Sequence, residues 1–191
     1  NGVKDFLMIN NTDSIYPFNV PVEYPKVGED LTPARIGVID LNSMDVTWMK
    51  IPGESNKFYL PRMTWMPNKD KLMIQQLNRK QNHSRYFVAN AENGSTELLL
   101  EDKDEAWIDV RNTWPYQDKA GWKFINGGKE FLYTTEKDGW SHVYRYDIEK
   151  REEFLVTKGD YDVIRPLSFD EEKGDISVSY THLTLPTTYG V

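Results

Sequence analysis

The sequence predicts an all-β fold. Three observations predict it: apolar residues alternating at period two, hairpin-turn residues between the alternating runs, and an internal repeat of about 57 residues. A strand turns successive side chains to opposite faces, so strict alternation marks a half-buried strand. Leu72, Ile74 and Gln76 alternate with Met73, Gln75 and Leu77. Arg85, Phe87 and Ala89 alternate with Tyr86, Val88 and Asn90, and Val143 and Arg145 with Tyr144 and Tyr146. Between such runs stand Pro67-Asn68-Lys69-Asp70, Glu92-Asn93-Gly94-Ser95, Asn126-Gly127-Gly128-Lys129 and Lys137-Asp138-Gly139. These supply the Gly or Asn that a turn with positive φ demands. No long stretch carries a helical period.

The repeat predicts the architecture. One unit runs from Met63-Thr64-Trp65 through Leu72 to Leu77, then Ser84 to Asn90, and ends on Glu97 to Leu100. The second runs from Gly121-Trp122 through Phe131 to Thr135, then Ser141 to Asp147, and ends on Glu153 to Val156. Trp65 aligns with Trp122, Ser84 with Ser141 and Leu98 with Leu155. Each unit reads as four short strands, and four-stranded repeats of this length point to propeller blades. A blade cannot bury both faces alone, so it stacks on its neighbours. The first 60 residues read as part of another blade: a strand over Val3 to Ile9, an irregular excursion over Asn10 to Pro33, and strands over Ala34 to Asp40 and Val46 to Ile51. A further blade begins near Val163. The expectation is a partial β-propeller of four-stranded antiparallel blades, two complete and two incomplete, which does not fold stably by itself because its open edges leave apolar faces uncovered.

Composition agrees. Six Trp and eleven Tyr suit pleated surfaces. A net charge of −7 argues against nucleic acid, which needs clustered Lys and Arg. The absence of cysteine excludes disulfides and thiol chemistry. Apolar runs such as Phe6 to Ile9 fall far short of the roughly 20 residues a spanning helix needs. Residues 1–176 are expected to be one propeller fragment. Residues 177–191 are expected to be a non-native tail, because the stretch from Val178 to Thr187 is encodable by a string resembling the transposon-end adaptor of sequencing libraries.

Chemistry is sparse. There is no Gly-x-Ser-x-Gly elbow. His83 reads as a solvated turn residue, and His142 as a structural histidine bonding to a neighbouring blade. Neither has metal-ligand spacing, and no cofactor is expected. Asp104-Glu105, Glu152-Glu153 and Glu171-Glu172 are adjacent pairs, so each sends its members to opposite faces and cannot form a facing pair of carboxylates. They read as solvated. Asn10, Asn82 and Asn93 open Asn-x-Ser/Thr sequons, patterns too short to carry weight alone.

Three segments together carry a resemblance. Tyr24-Pro25-Lys26-Val27-Gly28, then the tryptophan strand Met63-Thr64-Trp65 leading to Leu77-Asn78-Arg79-Lys80-Gln81-Asn82, then Glu136-Lys137-Asp138-Gly139-Trp140-Ser141-His142-Val143-Tyr144, resemble the dipeptidyl peptidase IV propeller in the same order. Thr157-Lys158-Gly159-Asp160-Tyr161-Asp162-Val163 resembles its Thr-x-Gly-x-Trp-x-Val stretch, with Tyr161 in place of Trp. The resemblance implies a parent serine peptidase that releases Xaa-Pro or Xaa-Ala dipeptides from peptide N-termini. The catalytic Ser, Asp and His would lie in a C-terminal α/β-hydrolase domain, so this chain alone is expected to be inactive. The implied partners are that domain, peptide substrates with penultimate Pro or Ala, and a second subunit in a homodimer. The lack of cysteine fits a bacterial homologue, for which a periplasmic or cell-envelope setting is expected. The family's substrate-facing loop corresponds to the stretch after Trp107-Ile108, and makes Arg111, Asn112 and Trp114 the substrate-binding candidates. The rival readings are a non-catalytic propeller that binds peptides or proteins, and a related peptidase that releases tripeptides or cuts internally.

Overall fold

A computed structural model describes residues 2–67, 70–110 and 121–181. The described residues form fourteen strands in five antiparallel sheets, with one short 3-10 turn. The first complete blade, blade A, is the meander β5 (Phe58–Trp65), β6 (Lys71–Asn78), β7 (His83–Asn90) and β8 (Thr96–Lys103). Blade B repeats that order with β9 (Trp122–Ile125), β10 (Glu130–Thr135), β11 (His142–Asp147) and β12 (Glu152–Leu155). Before them lie the hairpins β1 (Asp5–Asn10) with β2 (Phe18–Glu23) and β3 (Gly37–Ile39) with β4 (Val46–Trp48). After them comes the pair β13 (Val163–Asp170) and β14 (Asp175–Tyr180).

Both faces of blade A are apolar, and both are covered. Leu72, Ile74 and Ala89 pack on Met49, with Ile36, Val38 and Ile51 from the preceding sheet and its flanks around them. The opposite face, with Met73, Tyr86 and Leu99, meets Trp122, Phe131, Tyr133, Tyr144 and Tyr146 of blade B. The other face of blade B, with Ile125, Leu132 and Val143, meets Val163, with Phe169, Ile176 and Val178 packed against it. Alternation in the sequence therefore translates into face-to-face stacking. Burying each of these large side chains is worth about 1.5–3 kcal/mol. Edge-to-face rings, such as Tyr86 against Trp122 at 5.9 Å between centroids, add directional contact.

The offset of the repeat holds for the third and fourth strands but not for the first. Trp65 lies opposite Leu72, whose partner on the far side is Ala89. Trp122 lies opposite Tyr133, whose far-side partner is Tyr144. Residues 89 and 144 are 55 apart, so the two tryptophans share a face but sit two positions apart along the ladder. The cause is unequal hairpin length between the second and third strands of the two blades. Trp122 is 1 % exposed in the interblade core, while Trp65 is 45 % exposed.

The N-terminal region differs from its expected irregular excursion. β2 falls inside Asn10 to Pro33 and pairs with β1 from Asn10 opposite Phe18 to Asp5 opposite Glu23. Pro21 hid it, although a two-stranded hairpin has edges on both sides where proline is tolerated. β3 and β4 are shorter than the strands expected there. The β1–β2 hairpin carries apolar residues on both faces, and Leu7 and Ile9 are 57 % and 71 % exposed. Its base is tied down: Lys4 meets Glu29 at 2.8 Å, and Lys26 lies 4.3 Å over the Phe6 ring. Arg79 donates to the Tyr59 hydroxyl and, at 3.2 Å, to the Lys26 carbonyl. At the other end of the chain, residues 177–180 continue β14 opposite β13. Residues 182–191 lie outside the described residues.

Backbone contacts set the docking of β4 on blade A. Gly94 turns at φ +71 in the β7–β8 hairpin, and its carbonyl accepts from the Lys50 amide at 2.7 Å. A Cβ there would sit 2.2 Å from the Trp48 carbonyl oxygen. Gly139 has φ +94 but open space around it. Gly94→Ala is expected to cost about 2 kcal/mol or more, and Gly139→Ala clearly less, since it meets strain without a clash. Denaturant midpoints of the two variants, made in the full-length parent and set beside that parent unaltered, check the ranking.

Candidate functional site

The Leu77–Asn82 and Glu136–Tyr144 segments lie at one end of the stacked sheets, where the β6–β7 and β10–β11 hairpins meet the connections that leave β8 and β12. The β6–β7 turn is built by Asn78. Its side-chain oxygen accepts the amides of Asn82 and His83, both at 3.0 Å, and its amide donates to Asn82 Oδ1 at 2.8 Å. This turn holds the connection leaving blade A: Asp104 N donates to the Asn82 carbonyl at 3.1 Å and Ile108 N to the Gln81 carbonyl at 2.7 Å. Asp104 Oδ1 accepts the amides of Ala106 at 2.7 Å and Trp107 at 2.9 Å. Those two bonds hold its carboxyl below the ordinary range. Trp107 itself is 54 % exposed.

Between this connection and blade B lies a cavity of about 30 Å³, lined among others by Tyr86, Asp102, Trp107, Asp109, Thr135 and Lys137. Thr135 Oγ1 donates to Asp102 Oδ2 at 2.5 Å across the two blades. Gln75 Nε2 donates to Ser84 Oγ at 2.8 Å and to the Tyr86 hydroxyl at 3.2 Å, while Gln75 Oε1 has no hydrogen-bond partner among the described residues. Burial pushes the Tyr86 phenol up to about 12. Tyr133 is raised too, by burial and then by Glu153, whose carboxylate accepts from its hydroxyl. Lys137 donates to the same Glu153 and stands 4.8 Å over the Tyr144 ring. Glu153 therefore belongs to the seam between the blades and not to a solvated face, because its strand turns it to the side of Leu155 and Tyr133.

The Asp138-Gly139-Trp140-Ser141-His142 stretch is a lock between blade B and the next sheet. Asp138 Oδ2 faces His142 Nδ1 at 2.8 Å. Ser141 N donates to Asp162 Oδ1 at 2.8 Å, Ser141 Oγ to the Val163 carbonyl at 3.1 Å, and Val163 N to the Ser141 carbonyl at 2.7 Å. The ring of Tyr161 meets His142 edge-on at 5.6 Å and Tyr180 at 5.0 Å. His142 thus bonds within its own hairpin, not to a neighbouring blade, and touches the next sheet through ring contact. Its 1 % exposure leaves Nε2 buried without a hydrogen-bond partner among the described residues. His83 opens β7, where its Nε2 lies 3.1 Å from Glu101 on β8, so it is a strand residue and not a solvated turn residue.

Each described histidine is therefore turned to a carboxylate, and the buried hydroxyls of Ser84 and Ser141 serve the scaffold. Among the described residues no three His, Asp or Glu side chains converge as a metal site. Arg111, Asn112 and Trp114 lie outside the described residues. What is visible is their approach, residues 104–110, fastened to the β6–β7 turn. Sequence reasoning missed Gln75, Tyr86, Asp102 and Glu153, which alternation marks only as inward or outward positions.

The Asp138 carboxyl is lower than its ordinary value of 3.8: burial raises it, but the hydrogen bond and charge of His142 more than offset this. A depressed carboxyl contributes stability that is present above its unfolded value and lost as pH falls through the folded one. Asp138→Asn in the full-length parent is therefore expected to melt lower than the unaltered parent at neutral pH, with the gap closing below about pH 4. Thermal melts from pH 3 to 7 check this, and a gap independent of pH contradicts it.

The comparisons agree with this geometry. Residues 1–180 match the family model described as the dipeptidyl peptidase IV N-terminal region. Dipeptidyl peptidase 4 of Trichophyton rubrum is 23% identical over 181 residues, covering 92% of this chain and 23% of that protein. The inactive dipeptidyl peptidase 10 of Rattus norvegicus is 26% identical over 188 residues, covering 87% of this chain and 23% of that protein. The chain thus spans about a quarter of the length of these curated relatives. The crystal structure of Porphyromonas gingivalis dipeptidyl peptidase 4 superposes with a TM-score of 0.76 at 26% identity, over 92% of this chain and 24% of that one. A putative dipeptidyl aminopeptidase IV from Bacteroides ovatus shares the fold at a TM-score of 0.76 and 18% identity, over 93% and 27% of the two chains. With a stacked four-stranded architecture and a match that runs through nearly all its strands, the chain belongs to the dipeptidyl peptidase IV N-terminal region family.

Proposed function

We propose that this chain is chamber wall in a serine peptidase that releases Xaa-Pro and Xaa-Ala dipeptides from peptide N-termini. A C-terminal α/β-hydrolase domain supplies the catalytic Ser, Asp and His. The blades confine entry to slender peptides, and the loop holding Arg111, Asn112 and Trp114 faces the bound substrate. A guanidinium there suits peptide carbonyls and carboxylates. The observation that carries this reading is the fastening of residues 104–110 to the β6–β7 turn by the Ile108–Gln81 bond, within a chain that matches the family through residue 180. A rigid approach lets the loop beyond it hold one position against a ligand. A bacterial periplasm or cell envelope is the setting that goes with this reading, and the cysteine-free sequence supports it.

One relative, the dipeptidyl peptidase 10 of Rattus norvegicus, bears a name that states it is inactive. It supports a second reading, in which the propeller serves binding alone. The two readings part on what lies downstream in the full-length parent. A Gly-x-Ser-x-Gly elbow followed by Asp and His, together with release of a Gly-Pro or Ala-Pro reporter by the parent and none by this chain, supports the peptidase. A parent with no such serine overturns it.

We also propose that the β1–β2 hairpin contacts a second subunit, because its two apolar faces are too exposed for a hairpin left in water. Leu7→Asp with Ile9→Asp in the full-length parent is expected to convert a dimer to a monomer in sedimentation. A parent whose association is unchanged removes the hairpin from the interface.

A further inference from the structure

Two Asn-Gly pairs stand in turns among the described residues, and the fold treats them in opposite ways. An Asn-Gly pair can deamidate without an enzyme. The glycine amide nitrogen attacks the asparagine Cγ, the new C–N bond closes a five-membered succinimide, and the carboxamide nitrogen leaves as ammonia. Water then opens the ring to aspartate or isoaspartate. The glycine amide must first give up any hydrogen bond it donates, and the backbone must rotate to bring its nitrogen onto Cγ.

The pair Asn93-Gly94 meets neither condition. The Gly94 amide donates to the Asn90 carbonyl at 2.9 Å, and the Gly94 carbonyl accepts the Lys50 amide at 2.7 Å. Asn93 Oδ1 accepts the Ser95 amide at 2.8 Å, and the Asn93 amide donates to Asn90 Oδ1 at 3.1 Å. Gly94 is buried against the Trp48 main chain, which leaves no room for rotation. The pair Asn126-Gly127 meets both conditions. It opens the 3-10 turn Asn126–Gly128, where the first amides have no partner inside the helix. Both residues are exposed and left-handed, at φ +51 and +65. Nothing lies within 4 Å of the place a Gly127 Cβ would take. Water has access, because Asn126 lines a cavity of about 350 Å³ between blade B and the β13–β14 sheet, together with Glu130, Arg145 and Glu171.

The same asparagine joins those two sheets. Its amide donates across the seam to Glu171 Oε1 at 2.5 Å, and its Nδ2 donates to Glu130 Oε2 within blade B. Arg145 stands 3.9 Å from Glu130 and already serves that carboxylate. We propose that Asn126 is a site of spontaneous deamidation, and that its conversion loosens the seam between blade B and the β13–β14 sheet. A carboxylate at 126 has no proton to donate to Glu130, and it repels both Glu130 and Glu171. Isoaspartate, in addition, routes the main chain through Cβ and distorts the turn. The site requires nothing from the peptidase reading.

The test incubates the full-length parent in mildly alkaline buffer, native and in denaturant, and follows the two asparagines by peptide mass spectrometry. In the native protein Asn126 is expected to convert about tenfold or more faster than Asn93, which reacts only through local opening. In denaturant the two are expected to convert at similar rates, since each then has a glycine after it and no fold around it. Equal native rates, a faster Asn93 or no conversion at Asn126 overturns the site. A difference that persists in denaturant assigns the preference to sequence and overturns the structural cause. Amide exchange of β13 reads the seam. It is expected to quicken about fivefold in Asn126→Asp and in the aged parent, while Asn126→Gly, which keeps the positive φ without the charge, stays closer to the fresh parent and does not change on ageing. An Asn126→Asp variant that exchanges like Asn126→Gly overturns the loosening. Should Asn126→Asp fail to fold, the aged parent beside aged Asn126→Gly carries the decision.

Discussion

The constraint on which the structure depends is that each four-stranded sheet is apolar on both sides. A half-buried sheet solves its solvation problem with one layer against it; a sheet with Leu72 and Ile74 on one side and Met73 and Tyr86 on the other needs two. The chain meets this by repetition. Each blade is covered by the one before and the one after, and the same twist that makes a sheet curl turns successive blades through an angle. Local bonds shape the β6–β7 turn with residues 104–110 and the Asp138–His142 hairpin, and the stacking sets where these stand relative to the next sheet.

The polar groups in the seams follow from the same constraint. A serine, glutamine or tyrosine placed between two sheets must find its partner there or lose the hydration it had in the unfolded chain. Gln75 reaches Ser84 and Tyr86, Thr135 reaches Asp102, and Ser141 reaches Val163. The Gln75 bonds fasten neighbouring strands of blade A, while the Thr135–Asp102 and Ser141–Val163 bonds cross from sheet to sheet and fix the lateral offset of blades that apolar contact alone leaves free to slide. Of these, the Ser141–Val163 bond joins two of the segments that carry the family resemblance. That agrees with a region shared by active and inactive family members, since a lock between blades is indifferent to whether a nucleophile stands elsewhere in the protein.

Much of the fold was legible in the sequence, because strands and turns are local. The runs around Leu72 to Asn90 and around His142 to Asp147 announced themselves by alternation, and their turns by Asn and Gly. What was not legible depended on register, which is non-local. The pairing of Trp65 with Leu72 and of Trp122 with Tyr133 is set by hairpin lengths that no single offset captures. β2 was hidden by Pro21, a residue that reads as a breaker unless one knows that its strand has no inner neighbours. Glu153 passed for a surface acid because its tyrosine and lysine partners come from another strand and a turn. The bulge that sets Leu60 and Pro61 together against Gln76 gave no signal at all, since only the ladder reveals it. The loop candidates came from resemblance and not from spacing, and their approach is the part of that site the structure describes.

The contact of Gly94 with Trp48 and Lys50 has an evolutionary reading. Main chain rests on main chain there: a glycine without a side chain lies against a carbonyl oxygen, and its own carbonyl takes the Lys50 amide. Substitutions in the surrounding apolar cluster change how well the interior fills but not where those backbones touch. A joint of that kind tolerates drift in nearly every neighbouring side chain while forbidding change at one position. Distant members of a lineage can thereby exchange most of their residues and still inherit the same angle between sheets.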